Sequence, residues 1–259
     1  MHTKEEKLAQ FSRLLDIMTE LRQKCPWDKE QSFETLRTLT IEETYELADA
    51  IIKKDMAEIR KELGDLLLHI VFYAEMASET KSFDIYDVCE KLCEKLIYRH
   101  PHIYGKTEVD NSEQVMQNWE NLKLKEKGGN KTVLSGVPMS LPALIKAHRI
   151  QDKARSVGFD WEEREQVWDK VQEEITELKV EIADMNKDKM EAEFGDLFFS
   201  LVNAARLYDI NPENALERTN RKFTQRFNYL EEKTISKGID LKQMSLAEMD
   251  VLWEEAKKM

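Results

Sequence analysis

Glu62-Leu63-Gly64-Asp65-Leu66-Leu67-Leu68-His69-Ile70-Val71-Phe72-Tyr73-Ala74 places two acids three residues apart, followed by nine residues with no Asp, Glu, Lys or Arg. The same construction returns 131 positions later as Glu193-Phe194-Gly195-Asp196, followed by the uncharged run Leu197 to Ala205. Upstream, Glu42-Glu43-x-x-Glu46 precedes the first stretch and Glu173-Glu174-x-x-Glu177 the second, and Glu46 to Glu62 and Glu177 to Glu193 are both sixteen positions. An uncharged run of this length without turn residues reads as a helix buried on nearly every side. The doubled register sets the architecture: two tandem copies of one helical unit.

Composition agrees. The 259 residues are 41% hydrophobic and 35% charged, with only eight Gly and five Pro. That is too apolar for disorder and too poor in turn residues for a many-stranded sheet, so the fold class is all-α. Apolar spacing at Leu8, Phe11, Leu14, Leu15, Met18 and Leu21 writes a first helix, which Cys25-Pro26-Trp27-Asp28 interrupts. Further helices are expected over about 35–53, from an Asp55 cap to about Thr80, from an Asp84 cap to Arg99, and from near Ser112. In the second half they are expected over about 141–156, 164–186, 189–208, 212–236 and 245–258. Breakers gather at Lys127-Gly128-Gly129-Asn130 and Ser135-Gly136-Val137-Pro138. The expected division is therefore a domain over 1–127, a linker over 128–138 and a domain over 139–259.

A net charge of −12 argues against stable binding to nucleic acid or to an anionic membrane, but not against a small anion held through a metal. Cys25, Cys89 and Cys93 are too few and too awkwardly spaced for a disulfide framework and read as buried free thiols. The N-terminal residues show no apolar signal region, which makes the expected compartment the cytoplasm.

Residues three apart lie about 60° apart around a helix, so Glu43 and Glu46 share a face, as do Glu62 and Asp65. Antiparallel packing of the two helices brings four carboxylates together, and each pair about 4 Å apart repels by roughly 4 kcal/mol at an effective dielectric of 20. Such a cluster needs protons or a metal; the alternative is that each acid simply faces water. All-carboxylate donors suit Mg²⁺, with Mn²⁺ as the other hard ion, whereas di-iron bundles use Glu-x-x-His and zinc favours His or Cys. His69 has Ser200 at its counterpart, so histidine is outside the repeated design. The candidate ligands are Glu174, Glu177, Glu193 and Asp196, and in the first copy Glu43, Glu46, Glu62 and Asp65. Mg²⁺ bridges readily to phosphate, which points to a phosphorylated substrate. Gly64 and Gly195 offer either close backbone approach or simple helix packing.

Cations repeat as well. Lys95-x-x-x-Arg99 is matched by Lys222-x-x-x-Arg226, and Trp119-Glu120-x-x-Lys123 by Trp253-Glu254-x-x-Lys257. Lys and Arg can grip phosphates and an indole can stack on a base, though solvated charge and core packing explain such residues equally well. One difference favours the second copy: Lys170 stands where the first has Leu39.

Together with Arg99-His100-Pro101-His102, Ser140-Leu141-Pro142-Ala143-Leu144 and Val157-Gly158-Phe159-Asp160-Trp161, these acids make the chain resemble the MazG family with two tandem MazG-type domains. The resemblance spans nearly the whole chain. It implies Mg²⁺-dependent hydrolysis of nucleoside triphosphates between the α and β phosphates, and a homodimer. By that likeness Glu174, Glu177, Glu193 and Asp196 hold the metal, while Lys170, Lys222, Arg226, Trp253 and Lys257 contact nucleotide. Lys95, Arg99, Trp119 and Lys123 would do so more weakly in the first copy. Glu173, four residues before Glu177, is a candidate for orienting the attacking water. The competing class is a nucleotide-binding regulatory or interaction protein with little or no turnover.

Overall fold

The computed structural model describes residues 1–126, 132–236 and 238–258, except the side chains of Glu113 and Leu124. The Lys127-Gly128-Gly129-Asn130 part of the expected linker lies outside the described residues. Among these, every regular element is helical: the fold is all-α, and it divides into two compact units, Met1–Val109 and Asp110–Met259.

The first unit contains α1 (Lys4–Lys24), α2 (Pro26–Glu30), α3 (Phe33–Lys53), α4 (Met56–Glu79), α5 (Ile85–Arg99) and α6 (Pro101–Tyr104). Its helix starts follow capping chemistry. Ser32 accepts from the Thr35 N–H, Asp55 from Ala57 and Glu58, and Asp84 from Tyr86 and Asp87. α3 and α4 form the central hairpin, and α1 lies on α4. Met18, Leu36, Val71, Phe72 and Met76 make the core, with Leu39 packed against it. Arg22 closes the Cys25-Pro26-Trp27-Asp28 turn: it grips both Glu79 oxygens at 2.7 Å and donates to the carbonyls of Asp28 and Gln31.

The second unit holds α7 (Ser112–Lys125), α8 (Ala143–Arg155), α9 (Val167–Ala183), α10 (Lys187–Leu207), α11 (Pro212–Ile235) and α12 (Leu246–Ala256). The α9/α10 hairpin is its spine, with α8 against α10 and α11, and α12 against α11. Val167, Val171, Leu178, Val202 and Leu230 are buried. The Gly158-Phe159-Asp160-Trp161 loop is tied down by the buried Arg206, which donates to both Asp160 oxygens and to Asn203. Gly158 has φ +86°, which an L side chain rarely adopts.

Two expectations fail here. The thiols are not buried: Cys89 and Cys93 are exposed and Cys25 is intermediate, because α5 has no buried residue at all. The uncharged runs are not enclosed either, since Ile70 is 49% and Phe198 59% exposed. One face of each run fills its unit's core, while the other has nothing from that unit to pack on. Gly64 and Gly195 lie on such open surface; a Cβ at either would meet no atom within 4 Å, so no packing inside the unit requires them.

Candidate functional site

Each hairpin brings three acids to one point. In the first unit, ligand oxygens of Glu43 on α3 and of Glu62 and Asp65 on α4 all lie within 4.8 Å of one another. In the second, Glu174 and Glu177 on α9 and Glu193 on α10 do the same. The fourth acid of each expected set, Glu46 in one and Asp196 in the other, stays outside these groups but close enough for its charge to act on Glu43 and Glu193 respectively.

Burial is distributed unequally between the copies. Glu62 is 2% exposed in the first and Glu174 4% in the second, so the buried acid comes from the second helix of one hairpin and the first helix of the other. A lysine sits on each. Lys61 Nζ donates to Glu62 Oε1 at 2.8 Å, and Lys170 Nζ to Glu174 at 2.7 Å while also lying 3.1 Å from Glu173. Those carboxylates hold the Lys170 ammonium well above its ordinary range.

Glu43 and Glu193 are both pushed above the usual carboxylate range, first by desolvation and then by the negative charge of neighbouring acids. A raised carboxyl adds stability while protonated, below its unfolded value, and loses that contribution as pH rises through its folded value. Near neutrality the metal-free cluster is therefore a liability. A cation fits it: the donors are all carboxylate oxygens, and Glu62 Oε2 and Glu193 Oε2 are buried with no hydrogen-bond partner among the described residues. Mg²⁺ at tenfold its dissociation constant is expected to stabilise a site by about 1.4 kcal/mol at pH 7.5, a rise of roughly 3–6 °C in melting temperature. Near pH 5 protons compete for the same oxygens and the rise shrinks. Differential scanning fluorimetry at both pH values checks this, and equal rises at both would contradict it.

The expected nucleotide ligands are only partly assembled. In the second unit, Trp253 on α12 packs on Phe223 of α11 at 5.0 Å, and Arg226 lies over the indole at 5.8 Å. Lys257 pairs with Glu254, and Lys222 is exposed on α11. Lys95 and Arg99 belong to α5 of the first unit, whereas Trp119 and Lys123 lie on α7 within the second. There Lys123 sits over the Trp119 ring at 5.9 Å, and it joins Arg149 and Lys153 of α8 in binding Glu120. The echoed Trp-Glu-x-x-Lys segments thus have different surroundings. Leu39 also acquires a reason, since it packs on the core and is not simply a missing lysine.

Residues without a counterpart escaped the comparison of halves. Lys61 is matched by Ala192. Glu181, one turn beyond Glu177, pairs with Lys189 at 3.2 Å and buries its other oxygen unpartnered, while its counterpart is Ala50. Looking one turn beyond each acid on the same helix face would have found Glu181.

Two helical hairpins, each focusing carboxylates on one point, define a duplicated acidic-site protein of the kind that holds hard cations. The signature of the MazG nucleotide pyrophosphohydrolase domain matches the chain twice, over residues 31–104 and 162–230, and the chain belongs to that family. It is 42% identical to the nucleoside triphosphate pyrophosphohydrolase of Escherichia coli K12, over 97% of this chain and 98% of the other. It is 43% identical to the nucleoside triphosphate pyrophosphohydrolase/pyrophosphatase MazG of Thermotoga maritima, over 95% of each chain. A solved structure of a mazG-related protein from Thermotoga maritima covers 44% of this chain and 99% of its own, with 30% identity and a TM-score of 0.40.

Proposed function

We propose that this chain hydrolyses nucleoside triphosphates between the α and β phosphates, with Mg²⁺ or Mn²⁺ as cofactor and the second unit as its main site. Family membership makes it an enzyme, a hydrolase of nucleoside triphosphates. The observation that supports the finer reading is the group of three converging carboxylates in each hairpin, one of them buried, whose mutual repulsion near neutral pH a cation would relieve.

Glu174, Glu177 and Glu193 would hold the cation, with Asp196 adjacent. A hard divalent ion there supplies positive charge to phosphate oxygens and makes a water more acidic. The other roles belong to side chains. Lys170, anchored by Glu173 and Glu174, presents a permanently charged ammonium at the cluster's edge. Glu173, half-exposed, takes the proton of the attacking water as its oxygen bonds to the α-phosphorus. The bond from that phosphorus to the bridging oxygen breaks, and pyrophosphate leaves with the electron pair. Lys222 and Arg226 offset its charge, and Trp253, already carrying Arg226 on its ring, is the base-stacking surface.

Incubating the protein with single nucleoside triphosphates and Mg²⁺, then identifying products by anion-exchange chromatography, tests the bond choice. Monophosphate and pyrophosphate are expected; diphosphate and orthophosphate would refute it. The exposed apolar faces around Ile70 and Phe198, unpaired within their units, support a homodimer, which light scattering would report as twice the 30.5 kDa chain mass. Among the described residues no helix is long and apolar enough to cross a membrane.

A further inference from the structure

We propose that Lys61 is the phosphate-side cation of the first unit's site, so that this copy is a second binding site for a metal-bound nucleoside triphosphate. The inference rests on the metal-and-nucleotide reading given above. Glu62 is divided in its contacts. One oxygen accepts from Lys61 at 2.8 Å and the other is buried without a hydrogen-bond partner, while the carboxylate as a whole joins Glu43 and Asp65 in the acid group. The carboxylate is almost wholly enclosed, whereas the Lys61 side chain is 59% exposed. Its ammonium therefore lies at the solvent edge of the buried acid, within reach of a polyphosphate bound beside it. Glu62 above all, with smaller contributions from Glu58 and Glu46, favours the charged form of this lysine.

Position by position, the first copy lacks a counterpart of Lys170, because Leu39 stands there. In space the lysine has changed helix. Lys61 on α4 caps the buried Glu62, as Lys170 on α9 caps the buried Glu174, and Ala192 stands at the position equivalent to Lys61. Each copy thus has one ammonium on the one buried acid of its carboxylate group. The consequence differs from that of an ordinary surface lysine. An ammonium and a divalent cation sharing one carboxylate repel each other when nothing else is bound, and a polyphosphate lying across both removes that repulsion.

Lys61 should therefore oppose the metal alone and support the nucleotide. The test uses the full chain with Glu177→Ala and Glu193→Ala, which silence the second site, with and without Lys61→Ala. Free Mn²⁺ is titrated by electron paramagnetic resonance, and an α,β-methylene nucleoside triphosphate is then titrated at saturating Mn²⁺ by calorimetry. Lys61→Ala is expected to tighten Mn²⁺ about threefold and to weaken the nucleotide about tenfold, the scale of one charge-assisted hydrogen bond. Lys61→Arg should restore the nucleotide affinity. Unchanged values for both ligands, both weakened together, or no Mn²⁺ at the first site would each overturn the proposal. The product assay on the unsubstituted chain reports separately on the hydrolytic reading.

Discussion

Glu177→Ala is expected to lower nucleoside triphosphate turnover by about 10³-fold, whereas Glu46→Ala removes only the first site's share. Glu177 supplies one of three carboxylates that meet within 4.8 Å, and its loss takes a ligand from the group while leaving Glu174 and Glu193 in place. Losing one group preorganised for developing charge costs about 10²–10³ in rate, and misplacing the cation that binds the phosphates puts the effect at the upper end. Glu46 is outside the corresponding group in the first unit. Glu177 is also exposed, so the substitution opens no core cavity. It relieves repulsion on Glu193, and the metal-free variant should melt no lower than the parent. Steady-state rates and melting curves on the two variants decide the matter. A large loss from Glu46→Ala with little from Glu177→Ala would transfer the main activity to the first unit.

The repeat carried most of the fold because helix starts and acid pairs are written in local chemistry. Ser32, Asp55 and Asp84 each cap a helix through their own side-chain oxygen, and Glu43 with Glu62 or Glu174 with Glu193 come together once adjacent helices turn back on each other. What local chemistry does not encode is which partner a helix chooses. α7 looks like the first half's counterpart of α12, yet it packs in the compact unit that begins at Asp110. Phe198 reads as core from its neighbours, but packing geometry leaves it facing outward. Leu39 and Lys61 show the same point at the site: the contacts that decide their roles are tertiary, and an alignment of the two halves compares positions rather than spaces.

The role of α7 leads to the largest expected stability effect. Glu120 is held by Lys123 at 2.7 Å, Arg149 at 2.9 Å and Lys153 at 3.0 Å, and the Lys153 side chain is only 3% exposed. Burial works against ionisation of Glu120, but hydrogen bonds from Lys123, Lys153 and Arg149 together outweigh it and bring the carboxyl down to about 2. A lowered carboxyl contributes stability above its unfolded value, and that contribution is lost as pH falls through the ordinary carboxylate range towards 2. Glu120→Ala leaves a buried ammonium beside two like charges, and breaking a buried pair from one side costs about 3–5 kcal/mol. The melting temperature at pH 7 should drop by roughly 10 °C. Lys153→Met should cost much less, because Glu120 keeps two cations and the methionine fills similar space. That asymmetry is the signature of an electrostatic clasp between α7 and α8; equal losses would mean that packing alone holds them. If the Trp119-Glu120-x-x-Lys123 segment instead served nucleotide, Glu120→Ala would weaken triphosphate binding without this loss of stability. Calorimetric melting and nucleotide titration of the same variant therefore assign the segment to the fold or to the ligand.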